Sequence, residues 1–126
     1  MADERKKILL VEDDRFLSSL LKSRLEKEGG YEVTLAMTGD EALHALDAGA
    51  PDLIILDIIL PGKSGFEVLE ELRAKPGVIA PVIIMSNLGQ EADVARGRDL
   101  GAVEYFVKAN TPIDDLIAKI RAMIGT

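Results

Sequence analysis

The 126-residue chain has no cysteine and no tryptophan. Without cysteine there can be no disulfide and no thiolate metal site. The pattern suits a reducing compartment. The one histidine, His44, lies among Ala42, Leu43 and Leu46 on a helical pattern and reads as a solvated helix residue, so histidine catalysis and zinc binding have little to work with. No apolar run approaches the roughly 20 residues needed to cross a bilayer. The opening Met1-Ala2-Asp3-Glu4-Arg5-Lys6-Lys7 lacks the apolar centre of a secretory leader. A cytoplasmic location away from membranes is the expectation. A net charge of -7 argues against direct contact with a nucleic-acid backbone. The short basic run Arg5-Lys6-Lys7 is read as a solvated lead-in to a strand.

Hydrophobic residues make up 48% of the chain and charged residues 29%, a globular balance at a length that predicts one domain, residues 1–126 with its core at about 7–124. Two apolar runs stand out. Leu53-Ile54-Ile55-Leu56 ends on Asp57, and Ile8-Leu9-Leu10-Val11 ends on Glu12-Asp13-Asp14. Continuous runs of this kind read as strands buried on both faces.

Around them the spacing predicts five strand–helix units. The first pairs a strand at Lys7 to Val11 with a helix from about Asp14 to Glu28, its inner face made of Phe16, Leu17, Leu20, Leu21 and Leu25. Gly29-Gly30 stops it. The second strand, Tyr31 to Ala36, alternates in polarity and reads as a sheet edge, and Thr38-Gly39-Asp40-Glu41 is a capping box for a helix to about Ala48. The third strand is Leu53 to Asp57. After the turn Leu60-Pro61-Gly62-Lys63, a second capping box, Ser64-Gly65-Phe66-Glu67, opens a helix to about Lys75. The fourth strand, Pro81 to Met85, ends on Ser86, and the helix after it is expected to be capped around Asn87-Leu88-Gly89-Gln90 and to run to about Leu100. That helix is polar and holds Gly97, which costs about 1 kcal/mol against alanine, so it is expected to be the loosest. The fifth strand, Val103 to Val107, ends on Lys108. The last helix is predicted to be capped at Thr111 with Pro112 in its first position, burying Ile113, Leu116, Ile117, Ile120, Met123 and Ile124.

Such alternation predicts an α/β chain: a doubly wound, flavodoxin-like (βα)5 domain with a parallel five-stranded sheet. Glu104 makes the fifth strand edge-like as well, and the order 2-1-3-4-5 puts the second and fifth strands at the two edges. Ligands of such sheets bind outside the carboxyl ends of the strands where the order reverses, here between the first and third strands. Glu12, Asp13 and Asp57 are therefore expected to meet, with Ser86 and Lys108 after the next strands outward. Crowded carboxylates call for a hard cation such as magnesium, which takes oxygen ligands and leaves room for a phosphate. An aspartate can itself accept a phosphoryl group. Asp57, on the central strand, is the candidate, with Lys108 and Ser86 placed to meet other phosphoryl oxygens.

These residues resemble a known family. Leu10-Val11-Glu12-Asp13-Asp14, Leu56-Asp57 with Leu60-Pro61-Gly62 and Gly65, Met85-Ser86, Gly101-Ala102 and Tyr105-Phe106-Val107-Lys108 occur in the order and spacing of receiver domains of two-component response regulators, including the single-domain chemotaxis kind. The likeness runs from Lys7 to Ile124. It implies that Asp57 is phosphorylated, that Glu12 and Asp13 position magnesium with Asp13 the direct ligand, and that the backbone carbonyl of Ile59 is a further ligand. It also implies that Ser86 moves to meet the phosphoryl group, that Lys108 pairs with it, and that Tyr105 turns inward on activation. The face made by the fourth helix, fifth strand and fifth helix would then change shape. The donor would be a sensor histidine kinase, a phosphotransfer protein or acetyl phosphate. The signal would pass to a downstream protein target, and the chain would be a monomer or weak dimer. Beyond self-directed phosphoryl transfer and autodephosphorylation it would not be an enzyme.

Three positions depart from the family. Ala109 stands where proline usually follows the lysine, so the loop is expected to follow another path. Asn87 stands where a small residue is usual, and Ile59 where polar residues are common. The alternative reading is a phosphorylation-independent protein-binding module on the same fold. A phosphatase with an aspartate nucleophile would usually carry a second aspartate two residues on, where this chain has Ile59.

Overall fold

In the computed structural model, which describes residues 5–125, the central strands bury both faces. The first residues of the lead-in, Met1 to Glu4, and Thr126 lie outside the described residues. The elements are β1 (Lys7–Val11), α1 (Arg15–Gly29), β2 (Glu32–Ala36), α2 (Gly39–Ala48), β3 (Leu53–Leu56), α3 (Gly65–Ala74), β4 (Val82–Ser86), α4 (Glu91–Asp99), β5 (Glu104–Val107), a 3-10 turn (Lys108–Asn110) and α5 (Ile113–Ile124). All strand pairs are parallel, in the order β2-β1-β3-β4-β5. The sequence expectation for the architecture and strand order is met.

Alternate residues of β1, β3 and β4 feed two separate cores. Ile8, Leu10, Leu53, Ile55, Ile83 and Met85 pack with Leu21 and Leu25 of α1 and Leu116, Ile117 and Ile120 of α5. Leu9, Val11, Ile54, Leu56, Val82 and Ile84 pack on the opposite side with Ala42 of α2 and Phe66, Leu69 and Leu72 of α3. Burying each such large aliphatic side chain stabilises the fold by about 1.5–3 kcal/mol.

The caps at Thr38 and Ser64 form as expected, each accepting from the amide three residues on. Three local expectations are corrected. Phe16 is 80% exposed. At about 100° per residue it points away from Leu25, and Ser18 takes the inward place, its hydroxyl donating to the Arg15 carbonyl. The α4 helix begins at Glu91 after Gln90, whose side chain makes no capping bond, because Ser86 to Gly89 are used in the turn beside β5. At α5, Pro112 is the cap residue rather than the first helical residue, and the Thr111 hydroxyl donates back to the Val107 carbonyl. Gly97 is the buried residue of α4, and its small size is used in packing. Where proline is usual, Ala109 sits in the 3-10 turn, and no peptide bond among the described residues is cis.

Candidate functional site

Strand register brings the acids together. Val11 pairs with Leu56, and the Asp57 amide donates to the Val11 carbonyl at 3.0 Å. Glu12 and Asp57 therefore leave adjacent strands side by side at the carboxyl edge of the sheet. One carboxylate oxygen from each of Glu12, Asp13 and Asp57 lies within 4.8 Å of the others. Glu12 and Asp57 are buried while Asp13 is exposed.

Lys108 reaches back from the end of β5 into this cluster. Its ammonium donates to Asp57 Oδ2 at 2.8 Å and forms an ion pair with Glu12 Oε1. Burial pushes the Glu12 carboxyl up to about 7; the nearby Asp57 charge adds to this, and Lys108 only partly offsets it. Burial also pulls the Lys108 ammonium down, but its bonds to Asp57 and Glu12 outweigh that and hold it above the usual lysine value. Glu12 Oε2 accepts from the Asp14 amide, whereas the buried Oε1, despite its ion pair, has no well-angled hydrogen bond. The Ile59 amide donates to Asp57 Oδ1 at 3.3 Å.

An open cleft of about 390 Å³ lies over these groups, lined by Glu12, Asp13, Asp14, Asp57, Ile59, Asn87 and Lys108. That is room for a phosphoryl group and a hydrated cation. The donor set is all oxygen, two of the carboxylates are buried, and Oε1 of Glu12 lacks a good donor. Such a set fits magnesium and offers nothing to a softer metal.

Ser86 and Tyr105 sit one step away. Ser86 is fully buried, and its hydroxyl accepts from the Leu88 amide at 3.3 Å. It does not line the cleft. Tyr105 is buried against the core beneath α4, and its hydroxyl donates to the Leu88 carbonyl. Both side chains thus meet in the turn between β4 and α4.

Three residues had no specific role in the sequence reading, although Asp14 stood among the acids ending the first strand and Gly65 among the family motifs. Asp14 lines the cleft and also caps α1, accepting from the Leu17 amide; its position beside two other acids was the available signal. The Leu88 backbone, which serves both Ser86 and Tyr105, left no signal at all. Gly65 donates to the Ile58 carbonyl at 2.8 Å, and a Cβ there would lie 2.2 Å from the Asp57 carbonyl oxygen. Backbone on both sides leaves no slack. Gly65→Ala is expected to destabilise the fold by about 3 kcal/mol, the upper end for overpacking, as read by urea unfolding. A loss under about 1 kcal/mol would mean that the β3–α3 loop yields freely.

A doubly wound parallel sheet with an acid cluster and a lysine at its carboxyl edge defines the class of receiver-type α/β proteins. The chain belongs to the response regulator receiver domain family, whose sequence profile matches residues 8–121. It is similar to the phosphate regulon regulatory protein PhoB of Rhizobium meliloti, 43% identical over 120 residues, 94% of this chain and 52% of that protein. It is also similar to the transcriptional regulatory protein CpxR of Klebsiella pneumoniae, 44% identical over 94% of this chain and 49% of that protein. The chain thus spans about half the length of these relatives. Among solved structures, the BeF3-activated N-terminal receiver domain of Klebsiella pneumoniae RstA matches with a TM-score of 0.86 at 30% identity, over 96% of this chain and 100% of that one. A CheY-like receiver domain protein from Methanospirillum hungatei matches with a TM-score of 0.86 at 31% identity, over 96% and 94%. No helix among the described residues is long and apolar enough to cross a membrane.

Proposed function

We propose that this chain is a phosphorylation-activated signalling switch in which Asp57 accepts the phosphoryl group. One observation carries the reading: the buried Asp57 carboxylate lies 2.8 Å from the Lys108 ammonium, inside a cluster of acids at the mouth of an open cleft. Asp13, Asp57, Glu12 and the Ile59 carbonyl would hold magnesium, which supplies charge neutralisation for the incoming phosphoryl oxygens. An Asp57 oxygen forms the new bond to phosphorus as the donor's bond breaks, and the leaving group departs with the electron pair. Lys108 holds one phosphoryl oxygen and Ser86 moves to another. Transfer of this kind depends on position and charge more than on acid or base.

Ser86 and Tyr105 share the Leu88 backbone, so a shift of Ser86 toward the phosphoryl group breaks a bond in the turn that also seats Tyr105. Differential contacts in the two states supply the energy, and α4, β5 and α5 form the face that changes. The donor is a sensor histidine kinase or phosphotransfer protein, and the recipient is a downstream protein. Residues 1–126 act as one receiver unit in the cytoplasm, without touching nucleic acid or membrane. The unit is a monomer or weak dimer, and its only catalysis is directed at itself.

Incubation with acetyl phosphate and magnesium, followed by intact mass, is expected to show the gain of one phosphoryl group, and no gain when a chelator is present from the start. No gain would favour the phosphorylation-independent binding module instead. Asn87 and Ile59 flank Asp57 at the rim of the cleft, where water must approach the acyl phosphate. Asn87→Ala is expected to change its decay rate severalfold, measured by loss of the phosphorylated mass. Equal rates would remove Asn87 from the control of lifetime.

A further inference from the structure

Of the helix facing β5, only Gly97 is buried, at a position where a side chain would have to share space with two others. A Cβ there would lie 2.6 Å from Ile84 Cδ1 and 3.1 and 3.3 Å from Tyr105 Cδ2 and Cε2. Alanine is the better helix former, so nothing in α4 itself asks for glycine. The requirement comes from beneath.

We propose that Gly97 is a positioning residue for Tyr105: its missing side chain opens the inward seat of the ring, and so sets how much of the time the ring lies under α4. The proposal rests on the switch reading of Tyr105 given above. Of the two groups a methyl would crowd, Ile84 meets it only with Cδ1, the end of its side chain, but is packed on every side. It is fully buried on the inner strand β4, between β3 and β5. Tyr105 can leave. It lies on the edge strand β5 between half-buried Glu104 and Phe106, and another staggered rotamer takes the ring outward. Its hydroxyl would exchange the Leu88 carbonyl for water at a modest loss. The ring is therefore the part that yields, and a methyl at position 97 biases the switch toward the outward state.

The chain has two tyrosines, and Tyr31 is fully buried, which makes the test direct. The protein is labelled with ring-13C tyrosine, and a soluble gadolinium chelate reports which ring meets solvent, with Tyr105→Phe assigning the signals. Gly97→Ala is expected to raise the chelate-induced relaxation of Tyr105 severalfold and leave Tyr31 protected. Acetyl phosphate should still add a phosphoryl group by intact mass but no longer move the Tyr105 signal. Adding Ile84→Val removes the 2.6 Å neighbour and is expected to return the ring toward its seat. A Tyr105 ring as protected in Gly97→Ala as in the wild type overturns the proposal. If Gly97→Ala alone unfolds, the double variant decides: recovery of a protected Tyr105 supports the proposal, and failure to recover overturns it. If wild-type Tyr105 ignores phosphoryl uptake, the switch reading falls while the seat is still judged by the spectra without acetyl phosphate.

Discussion

Asp57→Asn is expected to bring phosphoryl uptake from acetyl phosphate below detection by intact mass, while the protein stays folded. The amide keeps the size of the carboxylate but has neither its charge nor a nucleophilic oxygen able to form an acyl phosphate. The other acids are poor substitutes. Glu12 is 1% exposed, with one oxygen on the Asp14 amide and the other beside Lys108. Asp13 is exposed and has no lysine against it among the ion pairs of the described residues. Removing one carboxylate of three should also weaken magnesium binding, followed by calorimetry. A phosphoryl group retained at full yield in Asp57→Asn would move the acceptor elsewhere and undo the assignment of this site.

Lys108→Met is expected to destabilise the protein by about 3–5 kcal/mol near pH 8 with a chelator present, the usual cost of stripping one partner from a buried ion pair. Methionine fills the same space, so lost packing contributes little. The effect should shrink as pH falls. In the wild type the Glu12 carboxyl titrates at about 7 in the folded chain against 4.5 as its ordinary value, because burial outweighs the lysine. The folded state therefore binds that proton more tightly than the unfolded state does. The stability this adds is fully present below about pH 4.5 and is lost as pH rises to about 7, amounting to about 3 kcal/mol across the window. Without Lys108 the carboxylates repel at full strength at pH 8, whereas a protonated Glu12 removes one of the two charges at low pH. Urea unfolding near pH 5.5 and pH 8 reads the difference. An equal loss at both would mean that Glu12 and Asp57 do not repel across this site.

The strands were legible because continuous runs such as Leu53 to Leu56 and Ile83 to Met85 have one good use, burial on both faces. The carboxyl-edge site followed from strand order alone, since Glu12 and Asp57 simply continue β1 and β3. The caps at Thr38 and Ser64 were local chemistry and came out as read. What failed to show in the sequence depended on a neighbour distant along the chain. Phe16 fits an apolar spacing, but which face of α1 is turned inward is set by the sheet. Gly97 looks like a weak point of its helix until Ile84 and Tyr105 are beneath it. Gly65 carries no pattern that reveals the Asp57 carbonyl behind it. The start of α4 moved to Glu91 because the Leu88 backbone is engaged by Ser86 and Tyr105.

The inner strands send alternate side chains into two cores that share backbone but no side chain. Tyr105, Ile84 and Phe66 all fall in the half beneath α2, α3 and α4; the half beneath α1 and α5 holds none of them. An engineer can therefore treat the second half as an unaltered chassis and confine a combinatorial library to the first. Variants chosen that way would differ in how the protein responds while inheriting one common foundation.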